Sequence, residues 1–228
     1  MSYKKIGVVV ADDGEYQPFY GAVSGAVCVD TPFKGAFKFS CGKSEVLALL
    51  CGIGKVNAAA GTMYLIDCGC DCILNFGLSG GLCEVCTGDF IAPDSFLEHD
   101  FDLTPLGYKP CEKPAQAYIY YADKQLADIL CNTDFVKKTG TAVCGDRFIS
   151  DKKSRDYLIN TFSATSCDME TAAIASVCHI SNIPFASLRR ISDSADNNAA
   201  NSYSAMNTQE GITLGEAFIK CLKGVADV

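Results

Sequence analysis

Three groups of carboxylates stand where short candidate strands stop. Asp12, Asp13 and Glu15 follow the apolar stretch 5–11; Asp168 and Glu170 close the stretch 164–168; Asp193 and Asp196 follow 185–191, with Ser192 and Ser194 among them. Two glycine-bearing segments hold similar places, Gly52-Ile53-Gly54 and Gly77-Leu78-Ser79-Gly80-Gly81. Carboxylates collected in one pocket can divide acid and base work when their environments push their pKa values apart. Glycines at a strand end let backbone N–H groups approach a ligand. Each feature also has a plainer reading. Asp168 and Asp193 suit helix caps, and the 12–15 cluster suits a solvated surface. Their coincidence at the carboxyl ends of strands, where open α/β sheets place their ligands, argues for a polar pocket with little positive charge.

Other motifs fail on inspection. Gly52-Ile53-Gly54-Lys55-Val56-Asn57 opens like a dinucleotide fingerprint, but Asn57 stands in the third glycine position. As a P-loop it fails at Val56, where Ser or Thr is needed after the lysine. Of the 14 cysteines, Cys68, Cys70, Cys72, Cys83 and Cys86 are the one group in which a metal site can be argued, and Cys83 and Cys86 form a CxxC pair. No clean second pair accompanies them, and Cys70 and Cys72 lead into the apolar run Ile73-Leu74-Asn75-Phe76, so packing is the favoured reading and no metal or cofactor is expected.

The 228 residues are 49% hydrophobic, enough for one domain with a real core and no need of disulfides. Lys+Arg 19 against Asp+Glu 27 gives a net charge of −8, which argues against nucleic acid or an anionic membrane as a partner. The N-terminal apolar run is ended by Asp12 and Asp13, too early for a signal peptide or a span, and the unpaired cysteines fit a reducing cytoplasm.

Apolar runs alternate with amphipathic segments, as in an α/β domain. Strands are expected at 5–11, at 36–41 and 45–51 as a hairpin, and at 72–77, 89–93, 139–144, 164–168 and 185–191. Helices are expected at 55–67, at 151–160 with Ser150 as N-cap, at 170–181 closed by Asn182, and at about 208–223 with Leu214, Phe218, Cys221 and Leu222 on one stripe. The irregular stretch 96–120 carries so many apolar side chains that something must cover it, and a subunit interface is the expected cover.

The segments KIGVVVADDGE, CGIGKVNAAAGT, NFGLSGGL, GDRFIS, CDMETAAIASVCH and LRRISDSAD, in this order from about residue 4 to 222, resemble the nucleoside phosphorylase/nucleosidase superfamily. The chain is most similar to its 5′-methylthioadenosine/S-adenosylhomocysteine nucleosidases. That resemblance implies a three-layer α/β/α domain with a central twisted mixed sheet over residues 1–228. It implies Glu15 as the group that activates the attacking water, Asp193 as the acid that protonates the purine at N7, and Glu170 as the ligand of the ribose hydroxyls. Arg189 falls near the water and the carboxylates, and Ser79 follows Leu78, which occupies the place of the family's water-binding serine. Met169 would pack on the sugar, Phe148 stack on adenine, and Ile149 read the base edge through its backbone. Ser192 would either orient Asp193 or serve as a plain helix cap. Ile53 and Tyr203 belong to the 5′ pocket, completed by Leu103 and Leu106 of a neighbouring subunit in a homodimer or hexamer.

Phosphorylases of this superfamily hold phosphate with arginines after the first strand and before the glycine turn. Here those places hold the acidic loop 11–15 and Asn75, and no arginine precedes Arg147. Water is therefore the expected nucleophile. Asp12, where the family has an apolar residue, suggests a 5′ group more hydrophilic than methylthio. A purine nucleoside phosphorylase, a futalosine-type hydrolase and an inactive nucleoside-binding protein remain the alternatives.

Overall fold

Every residue from Ile6 to Val10 is buried, because the strand they form lies between two parallel neighbours with both faces covered. This strand, β1 (Lys5–Val10), opens a computed structural model that describes residues 3–205 and 212–227. Then come α1 (Asp13–Ala22), β2 (Val27–Cys28), β3 (Gly35–Cys41), β4 (Ser44–Leu50), α2 (Lys55–Asp67), β5 (Cys72–Gly81), β6 (Phe90–Glu98) and β7 (Ile119–Tyr121). The chain continues through α3 (Lys124–Cys131), β8 (Val136–Cys144), α4 (Lys152–Phe162), β9 (Ala164–Asp168), α5 (Thr171–Ser181), β10 (Phe185–Asp193), α6 (Ala199–Ala205) and α7 (Leu214–Ala226).

The strands make one mixed sheet with helices on both faces, the α/β/α architecture that the resemblance implied. Phe19, Phe37, Phe76 and Phe218 pack under α1 and α7 on one face; Leu49, Leu65, Ile73 and Ile174 pack under α2 and α5 on the other. One feature was not foreseen. β5 pairs with β10 and with β9, β10 with β6, β6 with β8, and β8 with β9, so five strands close into a ring. Closure removes two sheet edges and sets the ends of β5, β9 and β10 side by side.

Several local expectations are corrected. β5 runs through Gly81 and β10 through Asp193, so the glycine segment is strand rather than turn. Helix α1 was missed because Gly14 and Pro18 disfavour a helix, although Asp12 and Glu15 form a capping box at its start. At this proline α7 crosses closely: a Cβ on Gly215 would stand 2.1 Å from the Pro18 carbonyl oxygen. Asp151, not Ser150, caps α4 by accepting the Ser154 N–H at 2.8 Å. The start of the last helix as expected from the sequence lies outside the described residues; α7 begins at Leu214 under a Thr213–Glu216 capping box, with Leu214, Phe218, Cys221 and Leu222 buried. In the stretch 96–120, Phe96, Leu97 and Tyr120 are covered by the chain's own fold, while Leu106 and Tyr108 are exposed. The cysteine cluster is split by β5: Cys68 and Cys70 precede it and Cys83 and Cys86 follow it, roughly 30 Å away at about 3.3 Å per residue. Among the described residues no helix is long and apolar enough to cross a membrane.

Candidate active site

Glu15 is placed by the helix start it helps to make. As the third residue of α1 its carboxylate reaches back to the Asp12 N–H at 3.4 Å and the Ala11 N–H at 3.3 Å, while Asp12 accepts the Gly14 N–H at 2.8 Å. Its second oxygen accepts the Leu78 N–H of β5 at 2.7 Å. The side chain is therefore buried and fixed by three backbone donors from two elements.

Arg189, 1% exposed at the middle of β10, lies over Gly77 of β5. Only glycine fits there, since a Cβ would come within 2.4 Å of an Arg189 Nη and 2.7 Å of Glu15 Oε1. The guanidinium donates to Ser79 Oγ at 2.9 Å, to Asn75 Oδ1 at 3.0 Å and to the Leu78 carbonyl. It faces Asp168 at 3.9 Å and Glu170 at 3.8 Å. Burial works against its charge, but Asp168, Glu15 and Glu170 hold it above the ordinary arginine pKa.

Asp168 accepts the N–H groups of Glu170 and Thr171 at 3.0 and 2.9 Å, so the plain cap reading holds for it. Glu170 does not spend its carboxylate on its own helix; it accepts the Gly54 N–H at the start of α2 at 3.0 Å. Asp193 ends β10, accepting the Ala195 N–H at 2.8 Å on Oδ1 with Ser192 Oγ 2.6 Å from Oδ2. The same Ser192 hydroxyl is 3.2 Å from the Ser79 carbonyl, so it can donate to either and serve both protonation states of Asp193.

Burial raises the pKa of all three carboxyls, Glu170 to about 7. Against burial, Arg189 favours the charged form of Glu15 and of Glu170, whereas Asp193 is opposed only by its bonds from Ser192 and Ala195. The arrangement thus sets two carboxyls beside a cation and one without, so their surroundings differ while burial raises all three.

All these groups open into one cleft of about 370 Å³. Glu15, Glu170, Asp193 and Arg189 line it together with Ser79, Ser192, Met169, Ile149, Phe148, Ile53 and Tyr203. Phe148 and Tyr203 meet edge to face at 6.0 Å across its mouth. Leu103 and Leu106 are not in this wall; they belong to the segment between β6 and β7, where Leu106 is 72% exposed. Asp12 lines the outer end. Arg147 and Cys167 also line the cleft and were not singled out from the sequence. Arg147 lay inside GDRFIS, and the alternation of a buried strand through Asp168 was the available signal for Cys167.

A larger hollow of about 570 Å³ lies beyond the loop 145–150, but its acids are occupied. Asp100 pairs with Lys55, Asp102 accepts from Thr104, and Asp151 caps α4. The smaller cleft is the one that gathers the buried carboxyls of Glu15, Glu170 and Asp193 with Arg189.

A family model described as "Phosphorylase superfamily" matches residues 5–226. The 5′-methylthioadenosine/S-adenosylhomocysteine nucleosidase of Haemophilus influenzae is 35% identical over 168 residues, 70% of this chain and 72% of that one. The enzyme of the same name from an Exiguobacterium species is 33% identical over 203 residues, 86% and 87% of the two chains. The crystal structure of the Neisseria meningitidis nucleosidase in complex with methylthio-immucillin-A is similar at a TM-score of 0.88 and 26% identity, covering 99% of this chain and 100% of that one.

Proposed function

Because the chain belongs to the phosphorylase superfamily and, with its nucleosidase relatives, is an N-glycosyl hydrolase, we propose that its substrates are 5′-modified adenine nucleosides of the 5′-methylthioadenosine/S-adenosylhomocysteine type. The observation that carries this reading is the single cleft in which Glu15 and Glu170 share Arg189 while Asp193 stands apart from it.

Asp193, whose pKa burial raises, is the acid in this reading: its proton passes to the purine N7 as the C1′–N9 bond breaks and the bond's electrons pass to the base. The ribose then carries oxocarbenium charge beside the carboxyl groups of Glu170 and Glu15, whose ionised forms stabilise it. Glu15 takes a proton from the water that attacks C1′, and Glu170 holds the ribose hydroxyls. Phe148 stacks on the base, the backbone of Ile149 reads its edge, and Met169 packs on the sugar. Leu78 offers no hydroxyl to the water, but its N–H fixes Glu15, which holds the water instead.

Water rather than phosphate is the nucleophile in this reading because neither guanidinium of the cleft is free. Arg189 is bonded to Asn75, Ser79 and Leu78, and Arg147 is paired with Asp151 at 3.2 Å. A phosphate dianion would also meet Glu15, Glu170 and Asp12. The test is a nucleoside panel assayed with and without phosphate, with free base and sugar as the readout. Adenine and an unphosphorylated sugar should appear at a rate independent of phosphate; a saturable phosphate requirement overturns the proposal.

Asp12 in the cleft wall near Ile53 and Tyr203 favours a polar 5′ group, so S-adenosylhomocysteine or a futalosine-type nucleoside is the second reading of the substrate. Retention of Glu15, Glu170 and Asp193 speaks against an inactive binding protein. A homodimer in the cytoplasm completes the proposal, with Leu103 and Leu106 closing the outer end of a neighbour's cleft. Sedimentation showing a fully active monomer would remove that part.

A further inference from the structure

The first turn of α2 binds two carboxylates, that of Glu170 in the cleft wall and that of Asp146 in the segment leading to Phe148 and Ile149. Gly54, its N-cap, has no side chain to cap the helix, and no local residue does so. The Gly54 N–H donates to Glu170 Oε1 at 3.0 Å, and the next N–H, that of Lys55, donates to Asp146 Oδ1 at 2.8 Å. Glycine is required at 54, where φ is +98° and a Cβ would press on the Asp146 carboxylate at 3.1 Å.

Asp146 is in turn held from behind. Its own N–H donates to Asp100 Oδ2 at 2.9 Å, and the other Asp100 oxygen takes Lys55 Nζ at 2.6 Å. Lys55 also reaches Glu98 at 3.2 Å, so one residue supplies backbone and side chain to the same brace. Gly145 leaves room for this packing, since a Cβ there would lie 2.5 Å from His99 Nε2 and 3.0 Å from Asp100 Cγ. Two residues beyond Asp146 stands Phe148, and then Ile149.

We propose that Asp146 is a positioning residue which, through the shared N-terminus of α2, fixes the base-recognising Phe148–Ile149 segment at a set distance from the ribose-recognising Glu170. The proposal rests on the nucleoside reading of the cleft. Its physical basis is that 145–150 carries no helix or strand of its own: one backbone bond, from the Gly145 N–H to the Asp168 carbonyl at 3.1 Å, ties its start, and beyond that the Asp146 strut sets its height over the cleft. Asp146 is exposed, which limits the strut to the effect of one charge-assisted hydrogen bond in water.

Asp146→Ala should raise KM and weaken the binding of free adenine roughly five- to tenfold while kcat changes little, because the carboxylates at the sugar stay in place. Asp146→Asn keeps an acceptor at Oδ1 and should restore near wild-type values. A residue that merely caps α2 would lower the melting temperature and leave KM and adenine affinity unchanged; that result overturns the proposal. Should the alanine variant not fold, Asp146→Glu lengthens the strut by one methylene and keeps its charge. Raised KM then supports the proposal, and unaltered KM sinks it. Amide exchange reads the strut without turnover: protection of the Lys55 N–H should be lost in Asp146→Ala, and unchanged protection overturns the proposal. If protection is lost as expected but wild-type protein cleaves no nucleoside, the strut stands and the functional reading fails.

Discussion

The two ends of the cleft are built differently. At the inner end, Glu15, Glu170 and Arg189 are almost fully buried and every polar atom of the guanidinium has a partner. At the outer end, Ile53 is 51% and Phe148 43% exposed, and Asp12, Arg147 and Tyr203 hang from a helix start, a loop and α6. The inner end buries a set of charges whose mutual attraction offsets only part of the carboxyls' desolvation, and in return its dipoles do not reorganise during reaction. The outer end is adjustable by single side chains. Reaction type should thus be hard to alter by mutation, and substrate preference easy.

The largest expected effect falls at the inner end. Asp193→Asn removes the acid but keeps the Ala195 bond, so purine release should drop by roughly 10²–10⁴ while nucleoside binding persists in equilibrium dialysis. Turnover within a few-fold of wild type would break the assignment and the comparison with it. The next is read in pH. Burial raises both Glu15 and Asp193, so kcat/KM should fall on the acid side as Glu15 takes a proton and on the alkaline side as Asp193 loses one. Ser192→Ala removes a bond that lowers the Asp193 pKa, so the alkaline limb should move to higher pH with the acid limb fixed. A shift of the acid limb instead would reverse the two roles. The smallest lies at the outer end. Asp12→Ser keeps the N-cap and removes the charge, and should shift the kcat/KM ratio a few-fold towards methylthioadenosine over nucleosides with polar 5′ groups. An unchanged ratio would show that Asp12 does not select.

Most of the inner end was legible in the sequence, because each carboxylate closes an apolar run and the runs are long enough to read. Glu15, Glu170 and Asp193 were named from that pattern and from the resemblance, and all open into the one cleft. What failed were elements whose local signals conflict. Gly14 and Pro18 hid α1, whose existence is decided by packing of Phe19 on Phe37, Phe76 and Phe218. In the apolar 96–120 stretch the sequence does not separate the residues the chain covers itself, Phe96, Leu97 and Tyr120, from the exposed Leu106 and Tyr108, because that division is made by β6 extending to Glu98 and β7 returning to pair with it.

Alternation of apolar residues and acids at strand ends are properties of neighbours in sequence, and these determined the fold class and the carboxylates. The ring closure of β5, β9, β10, β6 and β8, the burial of Arg189 over Gly77, and the sharing of the α2 N-terminus by Glu170 and Asp146 join residues far apart along the chain. Burial, Arg189 and the bonds from Ser192 and Ala195 together set the carboxyl pKa values, and those surroundings exist only once the strands have paired.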